Sequence, residues 1–374
     1  MAWSPQQEAA LKSVAEWRKD LKGPQVFFLA GFAGTGKTTL AIEMARDVKK
    51  VEFAAFTGKA ALVMQKKGCE GASTLHSLIY RKKPGKRDRN GEPVIDTGDL
   101  EFEINPLSRI RETDLVIVDE CSMVVEELGH DLLSFGKKVL VLGDPAQLPP
   151  VKGAGFFTSR EPDAMLTEVH RQAEGNPIIR MSMRIRAGDD IPMGTYGDSL
   201  VLDRSDLDPE QVVSANQILV GMNRTRQNYN ARLREMKDLD PAKPQVGDKL
   251  VCLKNDHDKG FLNGGLWNLA GWGEPLADEC YSLVVQSEDV PERAPASALV
   301  RREFFHRAED RLDFKKKRGT QEFTYGYALT CHKSQGSQWE DVMVFDESRV
   351  FGQDAGRWLY TAITRASEKI ILVR

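Results

Sequence analysis

Residues 31–38 read G-F-A-G-T-G-K-T and match the phosphate-binding pattern G-x-x-x-x-G-K-[ST] at every fixed position. An apolar run at residues 26–30 precedes this octamer and a helical pattern follows it over residues 40–48, so a strand, a glycine-rich turn and a helix come in the required order. Such a turn aims backbone N–H groups and a helix N-terminus at phosphate oxygens. We therefore predict a nucleoside triphosphate site, in preference to an ordinary glycine-rich turn between a strand and a helix.

Two side chains of this phosphate loop have specific expected roles. Lys37 is expected to neutralise the β- and γ-phosphates, and the Thr38 hydroxyl is expected to be a ligand of Mg²⁺. The predicted nucleotide-binding residues of the loop are Gly34, Thr35, Gly36, Lys37, Thr38 and Thr39.

Hydrolysis also needs a metal carboxylate and a group that orients water, and a pair of acidic residues supplies both. The apolar run at residues 115–118 ends in Asp119 and Glu120. Asp119 is placed to hold Mg²⁺ through water, and Glu120 to accept a proton from the attacking water. Such pairs are common in surface loops, but directly after a buried strand and downstream of a phosphate loop they indicate a hydrolytic site. Gln147 follows the next predicted strand and is expected to contact the γ-phosphate.

The apolar runs alternate with helical stretches, which is typical of a parallel sheet covered by helices on both faces. Ligands of such sheets collect at the carboxyl ends of the strands, so Thr57, Asp119 and Asp144 should surround the phosphate loop. Two segments interrupt the pattern. Residues 79–107 contain Asn-Gly, which predicts an inserted β-hairpin. After Pro241 and Pro244, short strand-like runs at residues 249–253 and 281–285 predict a small all-β module that extends to about residue 323.

Composition limits the class of protein. The net charge of −3 over 374 residues gives no global signal for nucleic acid, so local patches such as residues 81–89 and 315–318 would have to hold it, although solvated loops are the commoner role of such runs. Five scattered cysteines indicate reduced thiols and no structural metal. The apolar runs are too short to span a bilayer and no signal peptide is recognisable, so we expect a cytoplasmic protein without a membrane partner.

Further segments resemble the motifs of superfamily 1B helicases, the branch typified by RecD and the phage Dda helicase. They include L-T-C-H-K-S-Q-G-S at residues 329–337, Y-T-A-I-T-R-A at residues 360–366, and the segments 4–10, 56–61, 73–76, 169–172 and 247–264. The resemblance covers nearly the whole chain and implies a protein of a bacterial or phage-infected cell. It implies an α/β fold with two RecA-like P-loop motor domains, a β-hairpin insertion in the first and an SH3-like β-barrel insertion in the second.

This organisation predicts four sections of chain. Motor domain 1 is expected at residues 1–165, with a wedge hairpin inserted at residues 80–107. Motor domain 2 is expected at residues 166–244 and 324–374, and the SH3-like module at residues 245–323.

The resemblance implies ATP and Mg²⁺ as cofactors and nucleotide contacts beyond the phosphate loop. Gln7 would contact the adenine base, Gly336 would lie at the nucleotide, and Arg171 and Arg365 would reach the γ-phosphate from the second motor domain. Arginine fingers of this kind accelerate phosphoryl transfer by about 10³ to 10⁵. Hydrolysis would therefore require closure of the cleft between the domains, which couples chemistry to motion.

The resemblance also implies contacts to single-stranded DNA. Phe102 near the hairpin either helps to split a duplex or plugs the base of the hairpin. The sequence departs from the family pattern at Gln338, where many relatives carry an acidic residue. If that acid holds the ribose of the nucleotide, Gln338 could still form a hydrogen bond but would bring no charge, so the preference of this site for one nucleotide sugar over another is not predicted. The predicted DNA-binding residues are Thr57, Lys59, His76, Phe102, Thr330, His332 and Lys333.

The predicted activity is that of an ATP-dependent DNA helicase that translocates on single-stranded DNA and unwinds duplex DNA, with a 5′→3′ direction implied by resemblance alone. Predicted partners are single-stranded DNA and single-strand/duplex junctions, with single-strand-binding or replisome proteins as further candidates. A translocase that does not separate strands keeps every motor motif and stays open. The motifs that contain Arg171, His332 with Lys333, and Arg365 disfavour a small-molecule P-loop kinase. Glu120 disfavours a non-hydrolytic, nucleotide-gated clamp.

Overall fold

The computed structural model describes residues 3–83, 102–150, 153, 155–168, 175–256, 258–274 and 279–374. The chain divides into two compact units, which we describe separately. The core unit comprises Met1–Leu75, Arg109–Asp238 and Tyr327–Arg374, and the accessory unit comprises His76–Ser108 and Leu239–Gly326.

The N-terminal half of the core unit is built on a parallel sheet with the strand order β3-β2-β6-β7-β1-β8. All residues of β1 and β6 are buried, which explains why these strands read as continuous apolar runs. The predicted α/β class with a parallel sheet is therefore confirmed. The strands are β1 (Val26–Gly31), β2 (Val51–Ala55), β3 (Ser73–Thr74), β6 (Leu115–Asp119), β7 (Lys138–Gly143) and β8 (Ala164–Leu166).

The first two helices pack against this sheet because each presents apolar side chains to it. Val14 and Trp17 of the first helix and Leu40 of the second share a core with Phe27 and Leu140 of the sheet. Ser4 begins the first helix with a capping box in which its side chain and that of Gln7 exchange backbone hydrogen bonds. The helices in this part of the chain are α1 (Pro5–Lys19), α2 (Lys37–Ala45), α3 (Gly58–Lys66), α4 (Leu75–Ile79) and α5 (Glu126–Leu133).

The C-terminal half of the core unit is built on a second sheet, with the order β17-β11-β18-β19-β10-β9. Neighbouring strands are parallel except for the edge strand β9, which is antiparallel to β10. The strands are β9 (Gly194–Tyr196), β10 (Ser199–Leu202), β11 (Gln217–Val220), β17 (Ala328–Thr330), β18 (Trp339–Phe345) and β19 (Ala366–Val373), and the helices are α6 (Pro177–Ala187), α7 (Pro209–Ser214), α8 (Asn223–Met236) and α10 (Ala355–Ile363).

The accessory unit contains a five-stranded antiparallel sheet with the order β15-β14-β13-β12-β16. Its core is aromatic: the ring of Phe261 lies 5.0 Å from that of Trp267 and 5.2 Å from that of Phe323, in edge-to-face contacts. The elements are β12 (Lys249–Cys252), β13 (Leu266–Trp272), β14 (Cys280–Ser287), β15 (Ala296–Arg301), β16 (Phe323–Tyr325) and the short helix α9 (Phe314–Lys317).

The same unit contains a two-stranded antiparallel ribbon of β4 (Tyr80–Lys82) and β5 (Phe102–Ile104). The Asn-Gly turn predicted between them lies outside the described residues. Short 3₁₀ helices occur at Arg109–Glu112, Cys121–Met123, Arg204–Asp206, Arg302–Phe304, Glu309–Arg311, His332–Ser334 and Ser348–Asp354.

The five cysteines form no disulfide. Within the described ranges, no group of three or more histidine, cysteine or acidic side chains is arranged to hold a metal ion. Among the same residues, every helix is too short or too polar to cross a bilayer.

Candidate active site

The phosphate loop connects β1 to α2. Gly34 and Gly36 have φ angles of 79° and 80°, in the left-handed region that glycine enters at little cost. At Gly31, a Cβ atom would lie 2.7 Å from the Thr35 hydroxyl and 3.0 Å from the Leu166 side chain, so a larger residue would displace the loop from the neighbouring strand. The glycines of the predicted motif are thus required by backbone geometry.

Lys37 and Thr38 begin α2 and face the carboxyl end of the sheet. The Lys37 ammonium donates hydrogen bonds to the carbonyls of Gly31, at 2.6 Å, and Phe32, at 3.1 Å. The Thr38 hydroxyl donates to Asp119 Oδ2 at 2.8 Å. The two residues predicted to hold Mg²⁺, which come from different elements of the chain, therefore touch each other.

Glu120 has an unusual backbone conformation for a residue other than glycine. Its φ and ψ angles are 53° and 43°, and its N–H donates to the side chain of Asp119 at 2.8 Å. Burial raises the pKa of the Glu120 carboxyl, and the positive charge of Arg365 partly opposes that rise. Left-handed backbone at a residue with a side chain costs free energy and is often found where a functional group must be aimed.

Gln147 follows β7 and is 7% exposed. Its side-chain Oε1 has no hydrogen-bond partner within the described residues. An unpaired buried acceptor of this kind costs about 1–3 kcal/mol unless a ligand or water satisfies it, so its presence at a cavity indicates a place for such a partner.

The C-terminal half contributes two predicted residues to the same place. Arg365, 6% exposed, donates to the carbonyls of Thr361 and Ser337, each at 3.1 Å. Gly336 has a φ angle of 74°, and a Cβ atom there would lie 2.8 Å from the side chain of Ala60 in the N-terminal half. Only glycine allows this close approach of the two halves.

A cavity of about 780 Å³ brings these residues together. Its walls come from both halves of the core unit. The predicted site residues that line it are Gly34, Gly36, Lys37, Thr38, Thr39, Asp119, Glu120, Gln147, Gly336 and Arg365. It is large enough for a nucleotide-sized ligand.

Two predicted nucleotide residues within the described ranges, Thr35 and Gln7, are not among those lining the cavity. Thr35 is buried and its hydroxyl donates to the Phe32 carbonyl at 2.8 Å. The amide of Gln7 is engaged with the protein, because its Nε2 donates to the Thr35 carbonyl at 3.1 Å and its Oε1 accepts from the Ser4 N–H at 3.0 Å. Arg171 lies outside the described residues, so its role as a finger stays a prediction.

Two residues around the cavity, Trp3 and Arg186, have no role predicted from the sequence. Trp3 lines it, and its position directly before the predicted base-contacting segment was an available signal. The guanidinium of Arg186 lies 3.5 Å from the ring centroid of Phe32 in the phosphate loop, a cation–π contact that no local sequence pattern announces.

The predicted DNA-binding residues of the core unit have protein partners. Thr57 caps α3 by accepting from the Ala60 N–H at 3.1 Å, and Thr330 accepts from the Lys333 N–H at 3.3 Å. Lys59 is only 6% exposed, and its ammonium lies 4.6 Å from the ring centroid of Trp339. In this conformation Lys59 is therefore not presented to solvent.

Three histidine and aromatic contacts complete the set. Burial lowers the pKa of His332, whose ring lies 5.6 Å from that of Phe351. In the accessory unit, the His76 ring lies 4.8 Å from Tyr80 and 4.7 Å from Phe102. Phe102 is 43% exposed, so it both packs on His76 and presents ring surface to solvent, which is compatible with either predicted role.

Comparison with known sequences gives a consistent family. Residues 2–201 match the family described as AAA domain, and residues 325–373 match the UvrD-like helicase C-terminal domain. The chain is 28% identical over 383 residues to the ATP-dependent RecD2 DNA helicase of Deinococcus radiodurans, covering 93% of this chain and 47% of that protein. It is 28% identical to the RecBCD enzyme subunit RecD of Mycobacterium tuberculosis, covering 93% of this chain and 66% of that subunit. The chain thus spans less than two thirds of either relative.

Solved structures share the fold. A Pif1 structure described as unwinding of forked duplex DNA by two coordinating helicases has a TM-score of 0.62 at 19% identity and covers all of this chain and 92% of its own. The Pif1 helicase of Bacteroides, in complex with ADP-AlF3 and single-stranded DNA, has a TM-score of 0.58 at 19% identity over the same shares of both chains. The AAA-domain match alone covers more than half of the 374 residues, and together these findings establish that the chain belongs to the RecD- and Pif1-like branch, 1B, of helicase superfamily 1.

Proposed function

We propose that this chain is an ATP-driven motor that translocates on single-stranded DNA, in the 5′→3′ direction, and separates duplex DNA. The observation that carries the proposal is the composition of the cavity. Its phosphate loop and acidic pair come from one α/β half, whereas Gly336 and Arg365 come from the other. A small-molecule kinase does not need residues from a second α/β half in its ATP site. The arrangement therefore favours a motor in which residues of two domains contact the ATP.

The chemistry of ATP hydrolysis suits these side chains. Negative charge spreads over the γ-phosphoryl oxygens in the transition state, and Lys37 and Arg365 would offset it from different halves of the core unit. Glu120 would take the proton of the attacking water, and the free acceptor of Gln147 would help to orient that water.

Mg²⁺ fits the oxygen donors of Thr38 and Asp119. A hydroxyl and a carboxylate in mutual contact at 2.8 Å are the kind of hard oxygen pair that this ion takes in phosphate sites. When bound, the ion would offset charge on the β- and γ-phosphate oxygens. The residues of this chain would hold it at the carboxyl end of β6.

Two motor domains with two insertions account for the sections of the chain. Residues 1–165 form one RecA-like motor domain, with a wedge hairpin at residues 80–107, and residues 166–244 with 324–374 form the second. Residues 245–323 form most of an SH3-like module, whose sheet also includes β16 and so extends to residue 325. The antiparallel accessory sheet and the ribbon of β4 and β5 support the two insertions.

The substrate is proposed from the relatives and from local chemistry. Relatives are named as DNA helicases, and a neighbouring structure holds single-stranded DNA. Thr57, Thr330 and Lys333 lie at the carboxyl ends of β-strands or just beyond them. A single DNA strand that crosses both halves could be held there through its phosphates. Single-strand/duplex junctions are the expected natural substrate.

Glu120→Gln should lower ATP turnover by about 10² to 10⁴ without loss of nucleotide binding, because the amide keeps the shape but cannot accept a proton. Glu127→Gln, an exposed change on α5, is the matched control. Steady-state hydrolysis and binding of a fluorescent ATP analogue check both parts. Wild-type turnover in Glu120→Gln would remove Glu120 as the base.

The pH dependence of ATP turnover should reflect the ionisation of the Glu120 carboxyl. A base must be ionised to act, and burial raises the pKa of Glu120. An exposed glutamate has a pKa of about 4.3, so the acid limb of the profile should lie above that pH. ATP turnover should fall as the pH drops through the raised pKa of Glu120. An acid limb at or below that range, measured with the protein still folded, would contradict the assignment.

Replacing residues 84–101 with a two-residue Asn-Gly turn tests strand separation. Unwinding of a forked duplex should fall by about tenfold, whereas DNA-stimulated ATP turnover should change by less than about threefold, because none of the residues proposed to hold or hydrolyse ATP belongs to the replaced segment. Phe102→Leu serves as a second variant that keeps the ribbon. Equal loss of both activities would contradict the wedge, and wild-type protein that hydrolyses ATP on DNA without unwinding would support the plain translocase.

A further inference from the structure

A single hydroxyl joins three parts of the core unit. Tyr360, on α10 of the C-terminal half, is 2% exposed. Its hydroxyl donates to Asp144 Oδ2 at 2.7 Å and accepts from the Ala33 N–H of the phosphate loop at 3.0 Å. Asp144 and Ala33 both belong to the N-terminal half, at the ends of β7 and β1. The hydroxyl therefore bridges the two halves at the phosphate loop itself.

Asp144 depends on this bond. The carboxylate is 1% exposed, and its other oxygen, Oδ1, accepts from the Ala146 N–H at 2.9 Å. A buried carboxylate without hydrogen bonds is costly, so the second oxygen gains most from a donor that arrives from the other half. When the halves part, Tyr360 must leave both Asp144 and Ala33, and each then needs water in its place.

Two neighbouring bonds reinforce the contact. The Leu148 N–H donates to the Thr361 hydroxyl at 2.9 Å, and the Leu148 carbonyl accepts from Gln335 Nε2 at 2.8 Å. Side chains of the C-terminal half thus hold both Asp144 and Leu148, on either side of Gln147. The position of Gln147 in the cavity is tied to the C-terminal half through these bonds.

We propose that Tyr360 is a positioning residue that locks the closed arrangement of the two halves. The inference rests on the proposed function, in which closure around ATP brings Arg365 to the γ-phosphate. Tyr360 is not among the residues that line the nucleotide cavity, so it acts through Ala33 and Asp144 and not on the substrate. Its hydroxyl stabilises the closed state without taking part in the chemical step.

A lock and a catalytic group leave different kinetic signatures. Loss of the hydroxyl in Tyr360→Phe should lower the ratio of closed to open protein by about tenfold. Without DNA, where the open state dominates, ATP turnover should fall by about the same factor. With saturating DNA the closed state dominates, so turnover should fall by less than about threefold, and the DNA concentration for half-maximal activation should rise.

The experiment measures ATP turnover against the concentration of a single-stranded oligonucleotide for wild type and Tyr360→Phe. Tyr196→Phe is the matched control, because its hydroxyl donates to the Pro192 carbonyl at 2.8 Å on an exposed edge of the second sheet. Thr361→Val, which removes the acceptor for the Leu148 N–H, should reproduce the pattern if Tyr360→Phe fails to fold. Equal losses with and without DNA, or no change in either, would overturn the lock.

A second readout separates the lock from the proposed function. Fluorophores attached at Glu127→Cys on α5 and Glu210→Cys on α7, in a Cys280→Ser background, report the distance between the halves without DNA, with ADP–aluminium fluoride as the probe that favours closure. Tyr360→Phe should lower the closed fraction at a given probe concentration. Suppose that DNA does not change the ATP turnover of the wild type, but that Tyr360→Phe still lowers the closed fraction. The proposed function would then be wrong, whereas the role of Tyr360 in holding the closed state would be supported. An unchanged closed fraction would refute the lock.

Discussion

Replacing Lys37 with alanine should lower ATP turnover by about 10³-fold or more while the protein remains folded. The ammonium is held at the loop by the carbonyls of Gly31 and Phe32, at 2.6 and 3.1 Å, where it can move onto phosphate oxygens. It contributes a charge that no neighbouring residue of the loop replaces. The measurement is steady-state hydrolysis, with circular dichroism to check the fold.

Lys49→Ala is the control for the loss of a lysine, because Lys49 is exposed and lies beyond the end of α2. It should leave turnover within about twofold of wild type, as surface substitutions usually do. A folded Lys37→Ala protein with normal turnover would mean that the phosphate loop does not hold the reacting nucleotide.

Arg365→Ala should lower DNA-stimulated turnover by about 10³-fold and change nucleotide affinity far less, since a finger acts chiefly on transition-state charge. The guanidinium is already oriented by the carbonyls of Thr361 and Ser337, so little ordering is needed when ATP binds. Arg365→Lys should rescue only part of the loss, because a lysine cannot reproduce the planar fork.

Arg357→Ala provides the matched arginine control. Arg357 lies on α10, half-exposed, in a 3.4 Å ion pair with Asp354, and its removal should cost little. A loss of less than about tenfold in Arg365→Ala would contradict the finger role and would leave Arg171 as the remaining candidate.

The local parts of the site could be predicted from the sequence. The glycines, Lys37 and Thr38 lie in one octamer between a strand and a helix, and Asp119 and Glu120 directly end another strand. Once the sheet is known to be parallel, the carboxyl ends of its strands must meet at one edge, so their contact follows from topology. The 2.8 Å bond between Thr38 and Asp119 is the result.

The contacts between the halves could not be predicted in the same way. Tyr360 and Ala33 are 327 positions apart, and nothing in the pattern of either segment indicates their hydrogen bond. The burial of Lys59 against Trp339 could not be predicted either. A lysine in a polar motif is expected to be exposed, and the sequence does not show that the Trp339 ring covers it. Local periodicity reports which face of an element is buried and does not report which distant side chain covers it.

Gln7 illustrates how a motif can locate a residue without fixing its contacts. The segment after Trp3 was expected to read the base, yet the Gln7 amide supports the Thr35 carbonyl of the phosphate loop. Its Oε1 belongs to the start of the helix, because it accepts from the Ser4 N–H in the capping box. The adenine contact of Gln7 therefore stays a prediction.

The central claim is that this chain converts ATP hydrolysis into movement on single-stranded DNA. The most direct measurement is the rate of ATP hydrolysis by purified protein with and without a single-stranded oligonucleotide, with Lys37→Ala in parallel. We expect strong stimulation by the oligonucleotide that is lost in Lys37→Ala. Turnover that is equally fast with and without DNA would contradict the account and would favour a P-loop enzyme acting on a small molecule.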